Sequence, residues 1–102
     1  MSRIAQLEKL LALDANDTFV LYGLAQEYAK SNDHTTAITY YDRCLAIDPG
    51  YCYAYFHKAR SQQAIGEVTA AIATLKLGQV ASKKAGDNKA LSELSGYLDE
   101  LE

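Results

Sequence analysis

In this chain of 102 residues, Cys44, Cys52, His34 and His57 are the side chains best equipped for nucleophilic catalysis or metal binding. A zinc site needs three or four ligands converging on one point, and its clearest helical form is His-Glu-x-x-His. The two histidines are not at a spacing of four, and Cys52 with His57 makes two ligands without two more, so no metal is expected. A catalytic thiol needs a base or a cation beside it and a pocket around it. Neither is indicated for either cysteine, of which Cys52 is expected to be the more exposed. A phosphate-cradling loop requires a second Gly immediately before its Lys, and Gly78-Gln79-Val80-Ala81-Ser82-Lys83-Lys84 lacks it. With no nucleophile and base and no paired carboxylates, the chain is not expected to be an enzyme or to hold a cofactor. What stands out instead is eight tyrosines. A tyrosine offers a large apolar face and one polar tip, which suits packing and binding more than bond-breaking.

Any such binding residues must be carried by one domain, since a single core usually occupies on the order of 100 residues. The 49% apolar and 23% charged content is that of an ordinary globular chain, not a disordered one. Ten Lys and Arg against 13 Asp and Glu leave a formal charge of −3, with no basic stripe, so nucleic acid is not an expected partner. No apolar run reaches the roughly 18 residues that a membrane span needs. Met1-Ser2-Arg3-Ile4 leads into Lys9 and Asp14 and not into a signal-peptide core, so the expected location is cytoplasmic, with no membrane partner. Two cysteines are too few to staple a small secreted fold, which leaves packed apolar surface as the source of stability.

One Pro and six Gly, with abundant Ala and Leu and scarce Val, predict an all-α protein. Ile4, Leu7, Leu10 and Leu11 recur at helical spacing and predict a first helix ending near Leu13. Asp17 or Thr18 caps a second helix with Leu21, Leu24, Ala25 and Tyr28 on one stripe. Asp33 caps a third, with Ala37, Ile38, Tyr41, Leu45 and Ile47 inward, which stops before Pro49. Tyr51-Cys52-Tyr53-Ala54-Tyr55-Phe56 alternates as a strand would, but the alternation vanishes beyond His57 while helical spacing persists to Gly66, so a fourth helix is expected. A fifth runs from about Glu67 to Lys84 with Ala71, Ile72, Leu75 and Val80 inward, and Gly86 stops it. Asp87 or Asn88 opens a sixth, with Leu91, Leu94, Leu98 and Leu101 on one face.

Sliding the chain on itself by 34 residues pairs Ile4 with Ile38 and Ile72, Leu11 with Leu45, Asp14 with Asp48, Ala25 with Ala59, and Ala37 with Ala71. A period shared by helix boundaries and core positions marks stacked repeats. Leu21-x2-Leu24-Ala25-x2-Tyr28, followed by Ala37, Tyr41, Cys44-Leu45 and Pro49, resembles the tetratricopeptide repeat. Tyr55, Lys58, Ala59, Gln62, Gly66, Ala71, Leu75 and Gly78 resemble a second, weaker copy without the closing Pro. The resemblance implies antiparallel hairpins stacked as a right-handed α-α superhelix. Within one domain over 1–102 it divides the chain into a half repeat at 3–14, repeats at 18–50 and 52–85, and a capping helix at 87–101. Cys44 stands where the family usually has Ala, which implies a buried and inert thiol. Ala25, Ala37, Ala59 and Ala71 allow close helix approach, with Leu21, Tyr28, Tyr41, Tyr55 and Leu75 filling the spaces between hairpins.

In the family the first helix of each repeat lines a concave groove. Carried onto this chain, that placement selects Phe19, Tyr22, Gln26 and Lys30, then Tyr53, Phe56, His57, Arg60 and Gln63. The set is aromatic and weakly basic, suited to an extended peptide gripped by rings and donors. For Tyr22, Tyr53 and Phe56 the competing role is packing between layers, and for Arg60 a solvated position. Members that clamp a C-terminal carboxylate use Lys and Asn, where this chain has Tyr22 and Gln26, then Phe56 and Arg60, so that mode is not expected. The implied function is a non-enzymatic module binding a protein or peptide partner through the groove. The alternative is self-assembly through the N-terminal helix or the groove, giving at most a weak homodimer.

Overall fold

Side-chain acceptors begin several helices of the computed structural model, which describes residues 2–102. Asp17 Oδ1 accepts from the Phe19 and Val20 amides at 3.1 and 3.3 Å, Asp33 Oδ1 from Thr36 at 3.2 Å, and Asp87 Oδ1 from Ala90 at 3.0 Å. Each satisfies an otherwise orphaned backbone donor, a contribution of about 1 kcal/mol. The helices are α1 (Arg3–Leu13), α2 (Thr18–Lys30), α3 (His34–Ile47), α4 (Cys52–Ala64), α5 (Val68–Ala85) and α6 (Asn88–Leu101), with no strand among the described residues. The tyrosine-rich run that alternates in sequence is the first turn of α4. Among the described residues no helix is long and apolar enough to cross a membrane.

The turns repeat as the helices do. Asp14 Oδ1 accepts from the Asn16 amide and Asp48 Oδ1 from the Gly50 amide, both at 3.0 Å, so the same aspartate turn recurs 34 residues on. Asn32 (φ 63°) and Gly66 (φ 86°), again 34 apart, both take the left-handed conformation that ends a helix. Behind them the Asp33 and Glu67 amides donate to the Tyr28 and Gln62 carbonyls at 2.9 and 2.8 Å. Thus α2 and α4 start and end in register, while α5 runs longer than α3 before Gly86 closes it.

Successive helices pack on one another, and α2 also touches α4, as α4 touches α6. The result is a slab of 39 × 29 × 18 Å with α2, α4 and α6 side by side. Its apolar interior is a series of small clusters: Leu7, Val20 and Leu24; then Leu21, Ala25, Ala37, Tyr41, Cys44 and Ala54; then Ala59, Ala71, Leu75, Leu94 and Leu98. Between α4 and α5 the buried Thr74 hydroxyl donates to Gln62 Oε1 at 2.7 Å, which satisfies both groups. Tyr41 is fully buried, whereas Tyr28 and Tyr55 are only half covered, Tyr28 stacking on Tyr40 with centroids 5.6 Å apart.

Two side chains expected inward face out. Val80 is 65% exposed because the buried stripe of α5 runs through Ala71, Thr74, Leu75, Gly78 and Ser82, and Val80 lies off it. Ile47 is exposed because it lies a turn beyond Cys44, whose Sγ, 3.7 Å from the Thr18 carbonyl, is already level with the start of α2. Nothing is left there to cover it.

Gly78 is where α5 comes closest to its neighbours: a Cβ added there would stand 2.8 Å from Tyr55 Cβ and 3.0 Å from Leu94 Cδ2. Gly96 is also helical, but a Cβ there meets nothing within 4 Å. Urea unfolding should therefore separate the two. Gly96→Ala gains up to about 1 kcal/mol of helix propensity, while in Gly78→Ala overpacking of about 1–3 kcal/mol offsets or exceeds that gain. Equal stabilisation by both would mean that α5 is not so tightly seated.

Candidate functional site

Along α4, Tyr53, Phe56, His57, Arg60 and Gln63 follow one another at steps of three, one, three and three, and so share a face. That face lies between α2 and α6, and a cleft opens on each side of it. The cleft toward α2, about 360 Å³, is lined by Gln26, Ala29, Lys30, His34, Tyr41, His57, Arg60, Ser61 and Ala64. The cleft toward α6, about 410 Å³, is lined by Phe56, Arg60, Gln63, Glu93, Gly96, Tyr97 and Glu100. Arg60 borders both, so the two clefts lie side by side across the α4 face.

Rings form a ladder across the helices. Tyr22 packs against Tyr51 with centroids 4.8 Å apart, edge-on to Tyr41 at 6.0 Å and to His57 at 5.9 Å. Phe56 follows, 5.3 Å from His57 and 5.3 Å from Tyr97. Burial pushes the Tyr22 hydroxyl up to about 12, with smaller contributions from Tyr51, Cys44 and Tyr53, and its oxygen accepts from Gln26 Nε2 at 3.1 Å. Burial, reinforced by Arg60, lowers the His57 pKa, so at neutral pH its imidazole is uncharged.

The residues expected on the groove divide. Gln26, Lys30, Phe56, His57, Arg60 and Gln63 line the clefts. Tyr22 is half-buried under the wall, Tyr53 lies beside Glu93 at the start of α4, and Phe19, 70% exposed, borders neither cleft. Lys30 Nζ is 3.2 Å from Glu27, an exposed pair of little energetic weight. Arg60 makes no ion pair within 4.0 Å among the described residues. The Gln63 amide oxygen accepts from the Tyr97 hydroxyl, tying α4 to α6.

His34, Glu93, Gly96, Tyr97 and Glu100 are groove residues that the sequence reading passed over. Glu93, Gly96, Tyr97 and Glu100 carry the same three, one, three spacing as the α4 face. That signal was available, but it belongs to a helix read as a cap alone. The wall it forms is acidic, so the groove is not uniformly basic. His34 enters from α3, held by its Nδ1 at 3.0 Å from Ser61 Oγ.

Both thiols are buried. Cys52, at 7% exposed, is the more exposed of the two as expected, yet still buried, its Sγ turned back to the Gly50 carbonyl at 3.3 Å. Burial pushes the Cys44 thiol up to about 11, which leaves it protonated and unreactive at neutral pH. Among the described residues no three His, Cys, Asp or Glu side chains come together as metal ligands.

Comparison with known proteins gives a consistent result. Residues 19–51 match the tetratricopeptide repeat. A TPR repeat-containing protein of Pseudomonas aeruginosa is 27% identical over 99 residues, spanning 97% of this chain and 94% of that protein. A tetratricopeptide repeat domain protein from Salinibacter ruber has a TM-score of 0.81 at 29% identity, covering 87% of this chain and 90% of the other. The type III secretion chaperone SycD of Yersinia enterocolitica, in complex with a peptide of the translocator YopD, has a TM-score of 0.83 at 22% identity, covering 96% and 72%. That last likeness is one of fold.

The contrast between Tyr22 and Phe19 can be measured by thermal or urea unfolding. Tyr22→Ala should cost about 2–3 kcal/mol, less than the 3–5 kcal/mol of a fully buried ring. Phe19→Ala should change stability by no more than about 0.5 kcal/mol. A Tyr22→Ala protein as stable as the parent would show that the ring ladder does not hold α2 to α4.

Proposed function

The chain is a tetratricopeptide-repeat array, and we propose that it is a non-enzymatic interaction module that takes an extended peptide segment of another protein into the groove across α2, α4 and α6. The observation that carries this reading is the pair of clefts joined at Arg60, lined by aromatic faces together with charged and amide groups. Rings give contact area at small entropic cost, and the polar groups fix a backbone or a carboxylate. The peptide bound by SycD, which shares the fold, supports the same use of this architecture. A groove spanning three helices is short, so affinity is expected around micromolar. Peptides selected from a displayed random library on the full chain should be lost on Phe56→Ala and on Arg60→Ala, while Leu77→Ala on the outer face of α5 leaves them bound. Circular dichroism must show all three variants helical. Binding that survives both groove changes would place the site elsewhere.

Self-assembly through α1 is supported by a separate observation. This helix packs on α2 alone, leaving Leu10 half-exposed and Leu13 85% exposed. One short helix per partner buries well under the roughly 800 Å² per side of a standard interface, so the dimer would be weak. Sedimentation velocity over a wide concentration range should show a dimer that Leu10→Ser with Leu13→Ser abolishes. A monomer throughout removes this reading.

A further inference from the structure

The two clefts carry opposite charge. Toward α2 the wall presents Arg60, Lys30, whose Nζ also lies 3.2 Å from Glu27 outside the lining, and the polar groups of Gln26 and His34, and no Asp or Glu lines it. Toward α6 the wall presents Glu93 and Glu100 beside the rings of Phe56 and Tyr97, with Arg60 on the border it shares with the first cleft, so two carboxylates stand against one guanidinium. Gly96, where a Cβ would meet nothing within 4 Å, leaves room between those two carboxylates. No ion pair within 4.0 Å joins Arg60 to Glu93 or Glu100 among the described residues, so each group keeps its direct hydrogen-bonding sites free for a ligand on that side.

We propose, resting on the peptide-groove reading, that the occupant is a peptide of mixed charge, with a Glu or Asp side chain in the α2–α4 cleft and a Lys or Arg side chain in the α4–α6 cleft. A carboxylate in the first cleft meets Arg60, Lys30 beside its Glu27 partner, and neutral donors, whereas in the second it would face two carboxylates against the single Arg60 guanidinium. A cation in the second meets both carboxylates and two aromatic faces, which attract ammonium and guanidinium groups, with the single like charge of Arg60 at the border. Placed in the first, it would face Lys30 and Arg60. Like-charge contact rejects the wrong ligand, so this arrangement confers specificity more than raw affinity. Packed helices lie about 8–10 Å apart, and an extended chain advances about 3.3 Å per residue. The two ligand charges should therefore stand about three residues apart.

The test uses fluorescently labelled synthetic peptides with blocked termini and the full chain. Their cores are Glu-Leu-Leu-Lys, the reversed Lys-Leu-Leu-Glu, the all-acidic Glu-Leu-Leu-Glu and the all-basic Lys-Leu-Leu-Lys. One of the two mixed peptides should bind at least about tenfold more tightly than either single-sign peptide, by an amount that shrinks as salt is raised. Glu93→Gln with Glu100→Gln should bring the all-acidic peptide close to the mixed one, and Arg60→Gln should do the same for the all-basic one. A single-sign peptide that binds the parent chain as tightly as the mixed pair overturns the charge order while the groove reading stands. Binding of none of the four, where library peptides are still captured through Phe56 and Arg60, overturns it equally. A library with no groove-dependent binders would remove the groove reading itself.

Discussion

Close approach of helix backbones at small residues is the constraint from which the rest of this structure follows. Ala25, Ala37, Ala59 and Ala71 are fully buried within the hairpins, and Gly78 lies where even a methyl group would strike Tyr55. Small side chains there set the spacing between helices, and the spacing sets where α2, α4 and α6 stand relative to one another. A groove lined by those helices exists only because α3 and α5 are drawn in tightly behind them. Larger residues at the same positions would hold the hairpins apart and open gaps between the layers, at a cost that a small domain can ill absorb.

Because each cluster of buried side chains joins only neighbouring helices, stability is distributed along the array and no central core exists. The aromatic side chains link these clusters to the groove. Tyr22 supports the wall from behind, while His57, Phe56 and Tyr97 form part of its surface. Packing and recognition thus use one continuous set of rings. The ends differ for the same reason: α6 covers the last cluster and turns a polar face outward, while α1 covers the first with one face and leaves Leu10 and Leu13 in solvent.

The sign of the groove comes from its two walls and not from overall composition. A formal charge of −3 says little about a surface where Lys30 lines one cleft, Glu93 and Glu100 the next, and Arg60 both. His57, although basic by type, adds no charge at neutral pH because it is buried between rings and beside Arg60. Position relative to neighbouring helices decides what each ionisable group contributes.

Helix limits and turns were legible in the sequence because they depend on local chemistry: an aspartate that reaches a free amide, an asparagine or glycine that tolerates a left-handed turn, a proline that stops a helix. The 34-residue recurrence made the stacking legible too, since the same local signals return at Asp14 and Asp48 and at Asn32 and Gly66. Much of the α4 face of the groove could be read in the same way. Three things could not: that Ile47 and Val80 lie uncovered, that Cys52 is closed off, and that the acidic face of α6, visible in its spacing, is turned toward α4. Those outcomes depend on which helix ends where beside another, and a one-dimensional pattern shows that a residue lies on a face without showing what stands opposite it.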